Sequence, residues 1–241
     1  MHSGVATNRD HINGTLNLNV RLHRSGTKFP GAFPRLSCPQ PIGCYSLNES
    51  RQFQDYASNV SYLNLPHRTE FPLDLNAGIE RVQRKGEAAH KYKDIHDFCR
   101  YICNHQQELS RPSTDQKKGP NLSYDFVTFR GILRQIMCTP YERRKDYRLM
   151  ATRLNGTIYL AKVETEADRL ERESMTKQQL DMCSWGFKFE QYCTTEDPKK
   201  LPDTTSPVNE AKEFDCVFHL TLNGLQVLFA AEMDGIKSNA T

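Results

Sequence analysis

Apolar side chains set the first pattern in this sequence. Over residues 88–109, Ile95, Phe98, Cys99, Ile102 and Cys103 recur at three- and four-residue spacing, which predicts a helix. Residues 122–138 repeat that period and stop at Thr139-Pro140, because the residue before a proline is pushed out of helical space. Two strands are predicted next, at 147–154 and 157–164. They are joined by Asn155-Gly156, a pair suited to the positive φ angles of a type I′ turn. A charged amphipathic helix follows over 167–183. Residues 185–193 alternate, with Phe187 and Phe189 on one side and Gly186, Lys188 and Glu190 on the other, and this predicts a strand. A polar loop over 194–209 leads to a second hairpin, 214–222 and 225–234, over Asn223-Gly224. Residues 76–84 and 110–120 read as loops, and residues 1–40 as a mobile tail with one short strand at 16–22. The succession predicts an α+β fold: a mixed, largely antiparallel sheet with flanking helices, in one domain over residues 41–241.

Composition narrows the function classes. The longest apolar run falls short of the roughly 18 residues a membrane span needs, so no membrane partner is expected. The N-terminal residues lack the apolar core of a secretory signal. The six Asn-x-Ser/Thr sequons, at Asn13, Asn48, Asn59, Asn121, Asn155 and Asn239, therefore read as chance matches. The net charge of +3 is too mild to announce nucleic acid, so any basic groove must be local. Lys117-Lys118, Arg143-Arg144-Lys145 and Lys199-Lys200 could contact phosphates or simply face water. Eight cysteines without a CxxC pair read as thiols rather than disulfides. Cys99 and Cys103 share a helical face, where core packing is the simpler reading than metal ligation.

Candidate chemistry starts at Arg130. Stepping about 100° per residue from Phe126 puts Leu133 near −20°, Met137 near 20° and Arg130 near 40°. Arg130 thus falls inside the apolar arc. It either needs a carboxylate or phosphate there, or lies at the rim and reaches water. On the last strand, Glu232 and Asp234 share a face and stand about 7 Å apart. That spacing suits hard divalent cations held by oxygen ligands. If Leu222 and Leu225 flank the turn, Glu232 lies opposite Asp215 and Asp234 opposite Glu213. Like charges so opposed are destabilising. They are tolerable at an exposed strand end, or with a cation between them.

At these residues the sequence resembles the decapping exoribonuclease family, the DXO or Rai-type proteins. The resemblance runs from Gly43 to Asp234. It rests on Gly43-Cys44-Tyr45-Ser46-Leu47, Arg51-Gln52-Phe53, Phe126-Val127-Thr128-Phe129-Arg130-Gly131, Thr139-Pro140-Tyr141-Glu142, Val163-Glu164-Thr165, Gly186-Phe187-Lys188-Phe189-Glu190-Gln191-Tyr192 and Glu232-Met233-Asp234, in the family's order. The resemblance implies a metal-dependent hydrolase of RNA 5′ ends. The activities it implies are removal of incomplete or nicotinamide-dinucleotide caps, 5′-to-3′ exonuclease action and release of pyrophosphate from 5′-triphosphate ends. It implies Glu190, Glu232 and Asp234 as metal-binding carboxylates for Mg²⁺ or Mn²⁺, with two ions expected. Arg130 becomes the substrate-phosphate arginine, flanked by Phe129 and Gly131, and Arg51 an arginine near the RNA or cap. Glu232 would also meet substrate. The implied partners are an RNA 5′ end and a 5′-to-3′ exoribonuclease, with no DNA. The implied compartment is the nucleus first and the cytoplasm second.

Two departures from the family pattern stand out. Asp215 occupies a position where the family carries a small thiol residue, so an extra ligand or an altered substrate contact is expected there. The family also continues into a Glu-x-Lys strand that supplies a further metal ligand and a lysine near the attacking water. The present sequence reaches Thr241 without one. The expectations are a C-terminally truncated nuclease domain, an exposed sheet edge and little nuclease activity in this polypeptide. The alternative expected for it is binding of RNA or of a nuclease partner.

Overall fold

The computed structural model describes residues 11–12, 15–16, 34–85, 95–111, 121–142 and 146–238. Most of the expected tail, the strand at 16–22 beyond Leu16, residues 88–94 of the first helix, Lys117-Lys118 and Arg143-Arg144-Lys145 lie outside them.

The strands are β1 (His11–Ile12), β2 (Thr15–Leu16), β3 (Gln40–Leu47), β4 (Phe53–Gln54), β5 (Tyr62–Leu63), β6 (Phe126–Phe129), β7 (Arg148–Leu154), β8 (Thr157–Val163), β9 (Thr194–Thr195), β10 (Glu213–Leu222) and β11 (Leu225–Glu232). The helices are α1 (His96–Asn104), α2 (Gln106–Leu109), α3 (Arg130–Cys138), α4 (Glu166–Glu173) and α5 (Lys177–Cys193). Seven strands form the main sheet in the order β4-β3-β10-β11-β6-β8-β7. Neighbours are antiparallel except for β6, which runs parallel to both β11 and β8. The fold is α+β with a mixed, largely antiparallel sheet. Its edges are β4 and β7, and β11 is interior.

Both faces of the central strands are covered. Val217, Leu228 and Ala230 face Phe98, Tyr101 and Ile102 of α1 in one cluster. Leu220, Val227, Phe229 and Ala231 pack on the other face with Phe126 and Leu133 of α3. Gly43 lies against Tyr101 of the first cluster, where a Cβ would overlap Tyr101 Oη. Both Asn-Gly turns carry the paired positive φ angles expected: 48° and 89° at Asn155-Gly156, 49° and 91° at Asn223-Gly224.

Three expected elements are corrected. The helix over 122–138 is instead β6 followed by α3. Phe-Val-Thr-Phe is rich in strand-forming residues, and Val127 and Thr128 are both fully buried between β11 and β8. Sheet burial therefore overrides the helical period as far as Phe129. The helix over 167–183 is two helices, because Thr176 closes a capping box with Gln179 and starts α5 afresh. The strand over 185–193 is the C-terminal half of α5. Its aromatic residues imitate strand alternation, yet Ser184 and Lys188, four apart, are both buried, and Phe189 is 47% exposed.

Candidate active site

β6 and β11 end side by side, and their ladder stops at Ala230 opposite Phe129. The carboxyl ends of parallel strands are where open sheets characteristically bind ligands. Arg130 follows at once as the first residue of α3, and its exposed side chain reaches back so that Nη2 donates to the Glu232 carbonyl at 3.1 Å. The angular argument placing Arg130 in an apolar arc is thus overturned, because no helix runs from Phe126. Its bond to the Glu232 carbonyl comes instead from its place at the end of β6.

The hairpin register puts Asp215 opposite Glu232, as the turn predicts. Asp234 does not oppose Glu213. The ladder ends at Glu232, and the chain turns away so that Ile236 N donates to Ser61 O at 2.8 Å. Asp234 is left exposed beyond the strand end. Glu213 is buried and ion-paired to Arg51 at 2.9 Å and to Lys85.

Glu190 arrives from α5, whose rotation is fixed by several polar ties. Arg84 donates to Leu180 O at 2.9 Å, to Ser184 Oγ at 2.8 Å and to Asp181 Oδ1 at 2.9 Å. Trp185 Nε1 donates to Asn76 Oδ1 at 3.0 Å, and Tyr192 Oη to Asp74 O at 3.1 Å. On the far side, Lys188 Nζ donates to Thr204 O at 2.9 Å and Gln191 Nε2 to Ser206 O at 3.0 Å. These bonds hold the loop that walls a cavity of about 480 Å³, lined by Glu190, Glu232, Asp234, Glu213, Asp203 and Lys212 among others.

The electrostatics follow from this crowding. Burial, then Asp234, then Glu232 push the Glu190 carboxyl up to about 7, while Lys85 pulls the other way. The three acids assigned to metal therefore share one electrostatic environment. Among the described residues, no group of three or more His, Cys, Asp or Glu is gathered closely enough to hold a metal ion as it stands. Mutual repulsion between the carboxylates opposes such gathering.

The remaining candidates separate. Asp215 is 1% exposed, between Tyr45 on β3 and Glu232 on β11, and helps push the Tyr45 phenol upward after burial itself. Phe129 is half-buried, its ring 5.9 Å from that of Phe98. Gly131 is exposed, with open space where a Cβ would project. Arg51 holds a positive φ of 61° and donates to Ala211 O at 3.1 Å besides pairing with Glu213. It supports the strand start rather than lining the acidic cavity. Sequence reasoning missed Arg84, Lys85 and the burial of Lys188. Only the helical reading of residues 185–193 would have exposed the last of these.

Comparison with known proteins defines the family. A family model described as RAI1-like PD-(D/E)XK nuclease matches residues 37–241, and the chain belongs to that family. It is 45% identical over 216 residues to the decapping and exoribonuclease protein Rai1 of Drosophila melanogaster, covering 90% of this chain and 57% of that protein. The chain thus spans little more than half of that curated relative. Among solved structures it resembles Candida albicans Rai1 in complex with pU5 and Mn²⁺, with a TM-score of 0.69 and 19% identity over 87% of this chain and 56% of that one. It also resembles Scheffersomyces stipitis Rai1 in complex with (3′-NADP)⁺ and calcium, with a TM-score of 0.66 and 20% identity over 86% and 59%.

Proposed function

We propose that the acidic cavity is the metal-dependent hydrolytic site of a nuclease acting on RNA 5′ ends. One observation carries this reading: Glu190, Glu232 and Asp234 come from two distant segments to one cavity, beside Arg130 at the ends of two parallel strands. The donors are all carboxylate oxygens, which fit hard divalent cations such as Mg²⁺ or Mn²⁺, one or two in number. Manganese and calcium in the two solved relatives support the same cation class. When bound, such a cation would polarise the phosphoryl group and lower the pKa of a coordinated water.

The chain's own residues do the rest. Glu190, Glu232 and Asp234 would hold the cation, whose charge would offset the mutual repulsion of the three carboxylates. Arg130 lies within reach of a phosphate bound at the strand ends, where it neutralises charge developing on the phosphoryl oxygens. Backbone N–H groups at the start of α3 favour the same anion. The substrate class is an RNA with a 5′ cap, triphosphate or monophosphate. The pU5 and (3′-NADP)⁺ bound to the relatives support this, as does the name of the Drosophila relative. The reading extends to nicotinamide caps, to association with a 5′-to-3′ exoribonuclease and to a nuclear site of action.

Incubation of the 241-residue chain with 5′-capped RNA and Mn²⁺ tests this directly. The expected result is slow release of 5′-terminal nucleotide, in keeping with the little activity expected of this polypeptide, that stops with chelator and in Glu232→Ala. RNA binding that survives Glu232→Ala, with no turnover by the parent chain, would instead assign the chain to RNA binding.

A further inference from the structure

The ladder between β10 and β3 sets Cys216 directly opposite Cys44. We propose that these two residues form a modification site, a cross-strand dithiol that low-molecular-weight disulfides convert reversibly into a protein disulfide. Directly opposed residues of an antiparallel pair have Cα atoms about 4.5–5.5 Å apart, within the range disulfides require. Opposed side chains also leave the sheet on the same side. The flanking rungs, Tyr45 with Asp215 and Gly43 with Val217, turn toward α1, so the thiols occupy the other face. Their neighbour across β11 is Ala231, whose methyl group leaves room beside them. Both thiols are free and only half-buried, which leaves a small reagent access.

Closing the bond needs a modest approach, since opposed Cβ atoms stand about 4.5–5.5 Å apart and a disulfide prefers about 3.5–4.5 Å. The register shift between Val217 and Phe218, one residue beyond Cys216, gives β10 freedom to make it. A bond closed at that cost stays easily reduced, which suits a reversible mark more than a structural staple.

With glutathione disulfide as the oxidant, the thiolate of Cys44 attacks one of its sulfurs and expels one glutathione. The Cys216 thiolate then attacks the Cys44 sulfur and expels the second. The protein loses two thiol protons and two electrons, and glutathione disulfide becomes two glutathione thiols. Burial, then Cys44, then Asp215 push the Cys216 thiol up to about 11, and burial followed by Asp55 raises Cys44. Closure is accordingly slow near neutrality and accelerates as pH rises.

The test uses the full chain in a Cys38→Ser background, because Cys38 and Cys44 share one tryptic peptide. After exposure to glutathione disulfide at about pH 9, free thiols are alkylated and the protein is digested without reductant. The expected product is a linked peptide joining residues 36–51 to 213–237, lost in Cys44→Ser and in Cys216→Ser and abolished by reductant. It should form at least about tenfold faster at pH 9 than at pH 7. Separate alkylation or glutathionylation of the two cysteines without a linked peptide would overturn the proposal.

Discussion

Glu190 shows how little a single residue type reveals without its surroundings. Its carboxyl is raised to about 7 because it is half-buried beside Asp234 and Glu232. A carboxylate whose pKa is higher in the fold than in the unfolded chain destabilises the fold once ionised. The metal-free protein should therefore lose stability as pH climbs from about 4.5 to about 7, and stay at the lower level above that. Glu190→Gln removes the burden. Denaturation in chelator should show the variant more stable by on the order of 1 kcal/mol at about pH 8, the full effect being reduced because water screens a carboxyl that is still partly exposed, and indistinguishable at about pH 4. Arg130 makes the opposite kind of prediction. It is exposed and bonds to a backbone carbonyl, so Arg130→Ala should change stability by less than about 1 kcal/mol. RNA turnover should nevertheless fall by on the order of a hundredfold. Steady-state kinetics and urea melts on the same preparations separate the two effects.

Among the elements, the hairpins were legible because Asn-Gly turns fix both conformation and register. The pairing of Asp215 with Glu232 followed from the turn alone. Residues 126–129 and 185–193 were not legible from periodicity. In the first, tertiary burial on both faces of a short strand outweighed an apolar period that continues into α3. In the second, Trp185, Phe187, Phe189 and Tyr192 suggest a strand, while the feature that fixes the helix is a capping box nine residues before Trp185, at Thr176. The acids assigned to metal were found by resemblance, and their convergence needed the sheet order and the rotation of α5. That rotation depends on Arg84. Arg84→Ala leaves Asp181, Ser184 and the nearby Glu210 without their shared cation. It should cost about 1–3 kcal/mol in chemical denaturation. It should also weaken Mn²⁺ binding several-fold although Arg84 is not one of the acids.

At the scale of the molecule, one sheet brings distant segments to one end. β6 delivers Arg130, β11 delivers Glu232 and Asp234, and β10 delivers Asp215 and the clamped Glu213. α5, held by residues 74–84, supplies Glu190. Covering both sheet faces with apolar clusters leaves the strand ends as the place where polar side chains gather. The central claim is that the carboxylates gathered there form a divalent-cation site. Isothermal titration of the chelator-treated chain with Mn²⁺ tests it most directly, with Asp234→Ala alongside. Saturable binding that weakens at least about tenfold in the variant is the predicted result. Absence of binding to the parent chain, or equal binding to both proteins, would contradict it.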